Sequence, residues 1–96
     1  MTAEDKMEIL KSEYKGILLI GNENGAIRYM DSLVGVDSFD RAVYDYDRLV
    51  ECFMKADNIT YEEAREWVDY NVIRSLPYMG ERAPVIIYTS FDGLEF

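Results

Sequence analysis

Leu33-Val34-Gly35-Val36-Asp37-Ser38-Phe39-Asp40-Arg41-Ala42-Val43-Tyr44-Asp45 decides the fold, because it reads as a β-hairpin that runs straight into a helix. Leu33 to Asp37 and Arg41 to Asp45 are short, β-rich arms, and Ser38-Phe39-Asp40 is the polar link between them. A helix must follow, since the short carboxylate of Asp45 or Asp47 can accept from the free N–H groups of a first turn. That helix carries Leu49, Val50, Phe53 and Met54 at helical spacing, and Asp57-Asn58 ends it.

Toward the C-terminus, Thr60-Tyr61-Glu62-Glu63 has the form of a capping box, with Ile59 and Ala64 at the hydrophobic staple positions. The helix it starts turns Ala64, Trp67, Val68 and Val72 inward and stops at Pro77, with Leu76 pushed out of helical conformation by the proline. Pro77 to Pro84 is then a loop, and Val85-Ile86-Ile87-Tyr88 a last strand. The two Phe residues of the tail Phe91 to Phe96 suggest docking.

Toward the N-terminus, Thr2 caps a helix reaching about Glu13, with Met7, Leu10 and Tyr14 on one side and Gly16 after its end. Ile17-Leu18-Leu19-Ile20 is a strand-sized apolar run. Asn22-Glu23-Asn24-Gly25 is a turn by composition. Ala26 to Met30 reads equally as helix or strand.

The order helix, strand, uncertain segment, hairpin, two helices, strand predicts one α+β domain over residues 1–96, with helices packed on one face of a small, mostly antiparallel sheet. Of the 96 residues, 49% are hydrophobic and 14% aromatic, so a core can form. A chain of this size buries only roughly 60–65% of its unfolded surface, so that core is thin. No apolar run approaches the roughly 18 residues of a membrane span, and the acidic start is unlike a secretory signal. The lone Cys52 makes no internal disulfide, which points to a reducing cytoplasm.

Nineteen acidic residues against ten basic ones leave a net charge of −9. Direct nucleic-acid binding needs a basic footprint, and the chain has no Lys/Arg cluster. An acidic balance serves solubility, or a basic partner. The absence of histidine removes Ser–His and Cys–His nucleophile systems and His-based metal sites. With no paired cysteines and no nucleotide loop, the expectation is no cofactor, no metal and no catalysis. Gly21-Asn22-Glu23-Asn24-Gly25 has two glycines but neither phosphate-loop pattern. Glu13-Tyr14-Lys15 has the form of a nuclease E-x-K ending but lacks the preceding Asp-bearing strand.

Asp37, Asp40, Asp45 and Asp47 are the one carboxylate group that metal chemistry would use. The plainer reading gives Asp37 and Asp40 to turn backbone and Asp45 or Asp47 to the helix cap. Asn71 falls within the apolar stripe of the second central helix, so its amide needs partners. It clamps backbone of the Pro77–Pro84 loop or the hairpin, or it lines a small polar pocket. Tyr78, Met79 and Arg82, between two prolines, are residue types enriched at protein interfaces, though Tyr78 and Met79 can equally fold back over the core. Tyr44 is expected to pack, and Tyr46 and Tyr61 to be exposed. Cys52, one position off the stripe, reads as half-buried. Glu62, Glu66 and Asp69, at spacings of four and three, share one helix side and form an acidic face with Asp47 and Glu51.

Five pieces lie between Leu33 and Tyr88: Val34-Gly35-Val36, Ala42-Val43-Tyr44-Asp45-Tyr46-Asp47, Thr60-Tyr61-Glu62-Glu63-Ala64, Trp67-Val68-Asp69-Tyr70-Asn71, and Leu76-Pro77-Tyr78-Met79-Gly80-Glu81 leading to Ala83-Pro84-Val85-Ile86. In these the chain resembles a family of small uncharacterised proteins of phages and prophages, mostly of Firmicutes. The resemblance implies a mobile-element origin and an accessory role, and carries no catalytic residue. The resulting expectation is a non-catalytic protein that binds a host or phage protein, and that modulates host machinery or antiviral defence by analogy. Two other readings stand beside it. Residues 44–70 hold eight acids against three bases, so an acidic mimic of nucleic acid could occupy a basic groove. A homo-oligomer with a pocket near Asn71 could sequester a small molecule.

Overall fold

The computed structural model describes residues 1–21 and 25–89. Helix α1 spans Ala3–Glu13, and its start is the full reciprocal box: Thr2 Oγ1 accepts from the Asp5 N–H, and an Asp5 carboxylate oxygen accepts from the Thr2 N–H. Gly16 follows with φ at +79°, a conformation that costs glycine little. The run Ile17 to Ile20 does not form the expected strand and joins no ladder. Its side chains are apolar enough to pack on the core, but its backbone is tied by a different device. The Ile20 N–H donates to the hydroxyl of the fully buried Tyr44 at 3.1 Å. The expected turn at Asn22-Glu23-Asn24 lies outside the described residues, as does the tail from Ser90. Ala26–Ser32, read as helix or strand, is a 3-10 helix. Lys6 closes its end by donating from Nζ to the carbonyls of Met30 and Leu33, at 2.7 and 2.9 Å.

The hairpin is as the sequence reads. Strands β1 (Leu33–Val36) and β2 (Ala42–Asp45) pair antiparallel, with an irregularity between Leu33 and Gly35. Asp37 Oδ1 accepts from the Phe39 and Arg41 N–H groups, and Asp37 Oδ2 meets Arg41 Nε at 2.6 Å. Burial pushes the Asp37 carboxyl up, but the backbone and side-chain bonds from Arg41 outweigh it and hold it below the usual range. Helix α2 (Tyr46–Asp57) is capped by Asp45, which accepts from the Arg48 N–H, and ends at Asn58 in the left-handed conformation. Helix α3 (Tyr61–Trp67) is capped by Thr60. Here the box is only half made: Thr60 accepts from the Glu63 N–H, and its hydroxyl donates to Glu63 Oε1.

Beyond Trp67 the structure departs from the expected helix. A π-helical turn covers Val68–Val72, and a 3-10 helix covers Ile73–Met79 with Pro77 inside it. The α-helix has therefore ended well before the proline, and Leu76 stays helical. An exposed 3-10 turn tolerates the missing N–H of Pro77 better than an α-helix interior would. Strand β3 (Val85–Ile87) then pairs with β2, and it does so in parallel. The sheet, in order β1-β2-β3, is mixed rather than mostly antiparallel. The reason is the crossover: β2 runs into α2 and α3, and a chain returning from such a unit enters alongside in the same direction.

The fold is α+β. Ala42 and Tyr44, two apart on β2, face one side with Leu33, and they join Leu49, Val50, Phe53, Ala64 and Val68 of the helices in one core cluster. Val34, on the opposite face, is exposed. No helix among the described residues is long and apolar enough to cross a membrane.

Candidate functional site

The stripe of α2 buries Phe53, and the Thr60 cap sets the phase of α3 so that Trp67 meets it. The rings of Phe53 and Trp67 lie 4.5 Å apart, and Tyr29 from the first 3-10 helix stacks on Phe53 at 4.6 Å. Three elements thus give one aromatic column, Tyr29–Phe53–Trp67. Trp67 is its outer end. It remains 43% exposed, so the expectation that it lies inward like Ala64 and Val68 holds for its contact with Phe53 and fails for the rest of its surface.

Trp67 divides two clefts. The smaller, about 290 Å³, is apolar and runs from Ile20 and Tyr29 past Leu76 to Met79. The larger, about 740 Å³ and open, lies toward Glu66, Asp69, Tyr70 and Arg74. The π turn creates this division. Its wider winding keeps Val68 and Val72 buried while Tyr70 and Asn71 swing outward. Asn71 is therefore not in the apolar stripe. Its Nδ2 donates to the Trp67 carbonyl of its own helix at 3.1 Å, so it clamps neither the Pro77–Pro84 segment nor the hairpin. It stands at the mouth of both clefts.

A polar cluster closes the far side of Asp69. The Tyr46 hydroxyl donates to Asp69 Oδ1 at 2.6 Å, and the Tyr46 ring stacks on Tyr88 at 4.8 Å. Burial, and then the bond to Asp69, push the Tyr46 phenol up, while the Arg65 guanidinium beside it pulls the other way. Tyr46 is buried, against the expectation of exposure, because Asp69 and Tyr88 cover it; Tyr61 is exposed as expected. Asp45 is also buried, and accepts from Thr89 Oγ1 at 2.6 Å as well as capping α2.

Of the residues singled out by sequence, Glu66, Asp69, Asn71 and Met79 come together around Trp67. Tyr78 projects away at 91% exposure, and Arg82 and Glu62 are exposed without lining either cleft. The acids of the two central helices do not share one cleft: Glu51 lines another, where it and Asp31 face three cations, Arg28, Arg48 and Lys55. Cys52 is half-buried there, and burial pushes its thiol up. Asp37 and Asp45 serve turn and cap, and among the described residues no three acidic or cysteine side chains are grouped so that they could hold a metal ion. Sequence reasoning set Tyr70, like the other tyrosines, between interface and core, and passed over Arg74. The signal was present as the Trp67, Tyr70, Arg74 spacing of three and four. The Arg74 guanidinium lies 4.9 Å from the centre of the Tyr70 ring.

No protein-family model matches the chain, and neither a curated protein nor a solved structure matches it.

Proposed function

We propose that this chain is a non-catalytic accessory protein of a phage or other mobile element, and that it works by binding a host or phage protein. The observation that carries the reading is the exposure of three aromatics within residues 67–78: Trp67, Tyr70 and Tyr78 are 43%, 68% and 91% exposed. Trp and Tyr dominate the energetics of protein interfaces, since each offers a large contact area at low entropic cost. Trp67 ends α3, Tyr70 stands on the π turn and Tyr78 on the 3-10 helix, and π turns are found frequently at functional sites. The mobile-element origin rests on the sequence resemblance over residues 33–88. The lack of any histidine, of paired cysteines and of a nucleotide loop in the chain supports the non-catalytic half.

The test is site-specific photo-cross-linking in the bacterial host, with a benzophenone side chain at Tyr70 or Tyr78 and, as control, at Ile9 on α1. Discrete protein adducts at the two tyrosine positions and none at Ile9 are expected. Adducts at neither tyrosine, or a divalent-metal-dependent activity abolished by Asp47→Asn, would remove the proposal.

A further inference from the structure

We infer that the larger cleft beside Trp67 receives an arginine-bearing basic segment of the partner protein, with a guanidinium lying on the open face of the Trp67 indole next to the Glu66 carboxylate. This rests on the protein-binding reading above and names the chemistry of the partner. Three observations converge. First, one side of the indole is occupied by Phe53 at 4.5 Å, while the rest of Trp67, 43% exposed, lines the larger cleft as well as the smaller one. A flat, partly desolvated aromatic face attracts a cation, and arginine most often. Second, the charge is one-sided. Asp57, Glu63, Glu66 and Asp69 line the cleft against the single cation Arg74. Asp69 is engaged by Tyr46 and Glu63 by Thr60, whereas Glu66 and Asp57 have no hydrogen-bonding or ion-pair partner among the described residues. Free carboxylates in a cleft that an exposed indole also lines supply both contacts that a guanidinium makes at protein interfaces, the stacked one and the hydrogen-bonded one.

Third, the cleft already holds one such pair. Arg74 lies over Tyr70 at 4.9 Å, which leaves Trp67 as the unoccupied aromatic of the two. At −9 overall, the chain also steers basic partners toward itself and repels acidic ones. A nucleic acid is thereby disfavoured as occupant, as is a second copy of this equally acidic chain.

The experiment uses the full chain, labelled with ¹⁵N, and the probe peptide acetyl-Arg-Arg-Arg-amide. Titration should shift the Trp67 indole N–H and the amides of Tyr70 and Arg74, saturably and in one site. Acetyl-Lys-Lys-Lys-amide should bind more weakly, because an ammonium lacks the planar face. Glu66→Gln, at an exposed position, should weaken the arginine peptide roughly threefold. Trp67→Leu, checked for folding by its melting curve, should lose the indole contact and weaken it by a similar factor or more. Shifts spread evenly over Glu4, Glu8 and Glu51 would overturn the inference, as would unchanged affinity in both variants. The two readings separate cleanly. A partner cross-linked at Tyr70 in lysate, with an adduct yield that excess arginine peptide added before irradiation fails to lower, keeps protein binding and overturns the basic segment. Peptide binding at Trp67 without any cross-linked protein keeps the cleft chemistry and overturns the proposed function.

Discussion

The Tyr46 hydroxyl and Asp69 Oδ1 are 2.6 Å apart, and this bond joins the first turn of α2 to the π turn after α3. It also fixes one wall of the larger cleft, since Asp69 lines it. A hydrogen bond to a carboxylate contributes roughly 1.5–3 kcal/mol, less where solvent reaches it. Tyr46→Phe is expected to lower unfolding free energy by about 1–2 kcal/mol, measured by urea titration, and to leave the ring stacked on Tyr88. An unchanged midpoint would mean that the bond is replaced by water at no cost.

The aromatic column gives a ranking. Phe53 is 2% exposed and touches rings on both sides, so Phe53→Ala should cost roughly 3–5 kcal/mol. Trp67 is the larger residue, but nearly half of it is in water. Trp67→Ala should cost about 2 kcal/mol, from the buried part of the ring and one aromatic contact. Chemical denaturation of the two variants checks the order, and a costlier Trp67→Ala would place Trp67 in the core.

Asp45 and Asp47 were equivalent cap candidates by sequence, and the structure separates them. Asp45 accepts from the Arg48 N–H at 3.2 Å and from Thr89 Oγ1 at 2.6 Å, and is buried. Asp45→Ala should cost roughly 2 kcal/mol, the upper end for a cap, whereas Asp47→Ala should stay within about 0.5 kcal/mol. Equal melting temperatures for the two variants would contradict the assignment.

What was legible in the sequence was local. Thr2, Asp45 and Thr60 identify their helices because a cap needs only a side-chain oxygen and the next three N–H groups, and the hairpin needs only two β-rich arms and a link. The direction of β3 was not legible, because Val85-Ile86-Ile87 reads the same whichever way it enters; the β2–α2–α3 crossover sets it. Ile17 to Ile20 looked like a strand because burial and pairing leave the same apolar signature. The site was half legible. Glu66, Asp69, Asn71 and Met79 were named for charge, polarity or loop position. Trp67, the last residue of α3, was assigned wholly to the core, Tyr70 fell between core and interface, and Arg74 was passed over; a period of 3.6 carried through the π turn puts Asn71 in the apolar stripe, where the wider winding turns it outward. Val68 and Val72 stay buried as that period predicts, while Tyr70 and Asn71 face outward.

The last prediction concerns Tyr44, which ties the N-terminal segment to the sheet. Its side chain is fully buried, and its hydroxyl accepts the Ile20 N–H. Burial pushes the phenol up from 10.0 to about 12, with the bond from Ile20 opposing it. The folded pKa is thus above the unfolded one, so the neutral phenol is the form that folding favours. Its contribution is fully present below pH 10 and declines as pH rises from 10 toward 12, because the unfolded chain releases the proton first. Tyr29, Tyr46 and Tyr88 are raised as well, first by burial, and titrate in the same sense. Stability should therefore fall steeply above pH 10, on the order of 2–3 kcal/mol from Tyr44 alone. Tyr44→Phe should flatten that fall. At neutral pH it should itself cost roughly 1–3 kcal/mol, because it leaves the Ile20 N–H without its partner. Unfolding curves of both proteins at neutral pH and across the alkaline range measure the two effects together. A variant with the wild-type alkaline slope would show that Tyr44 ionises as freely in the folded chain as in the unfolded one.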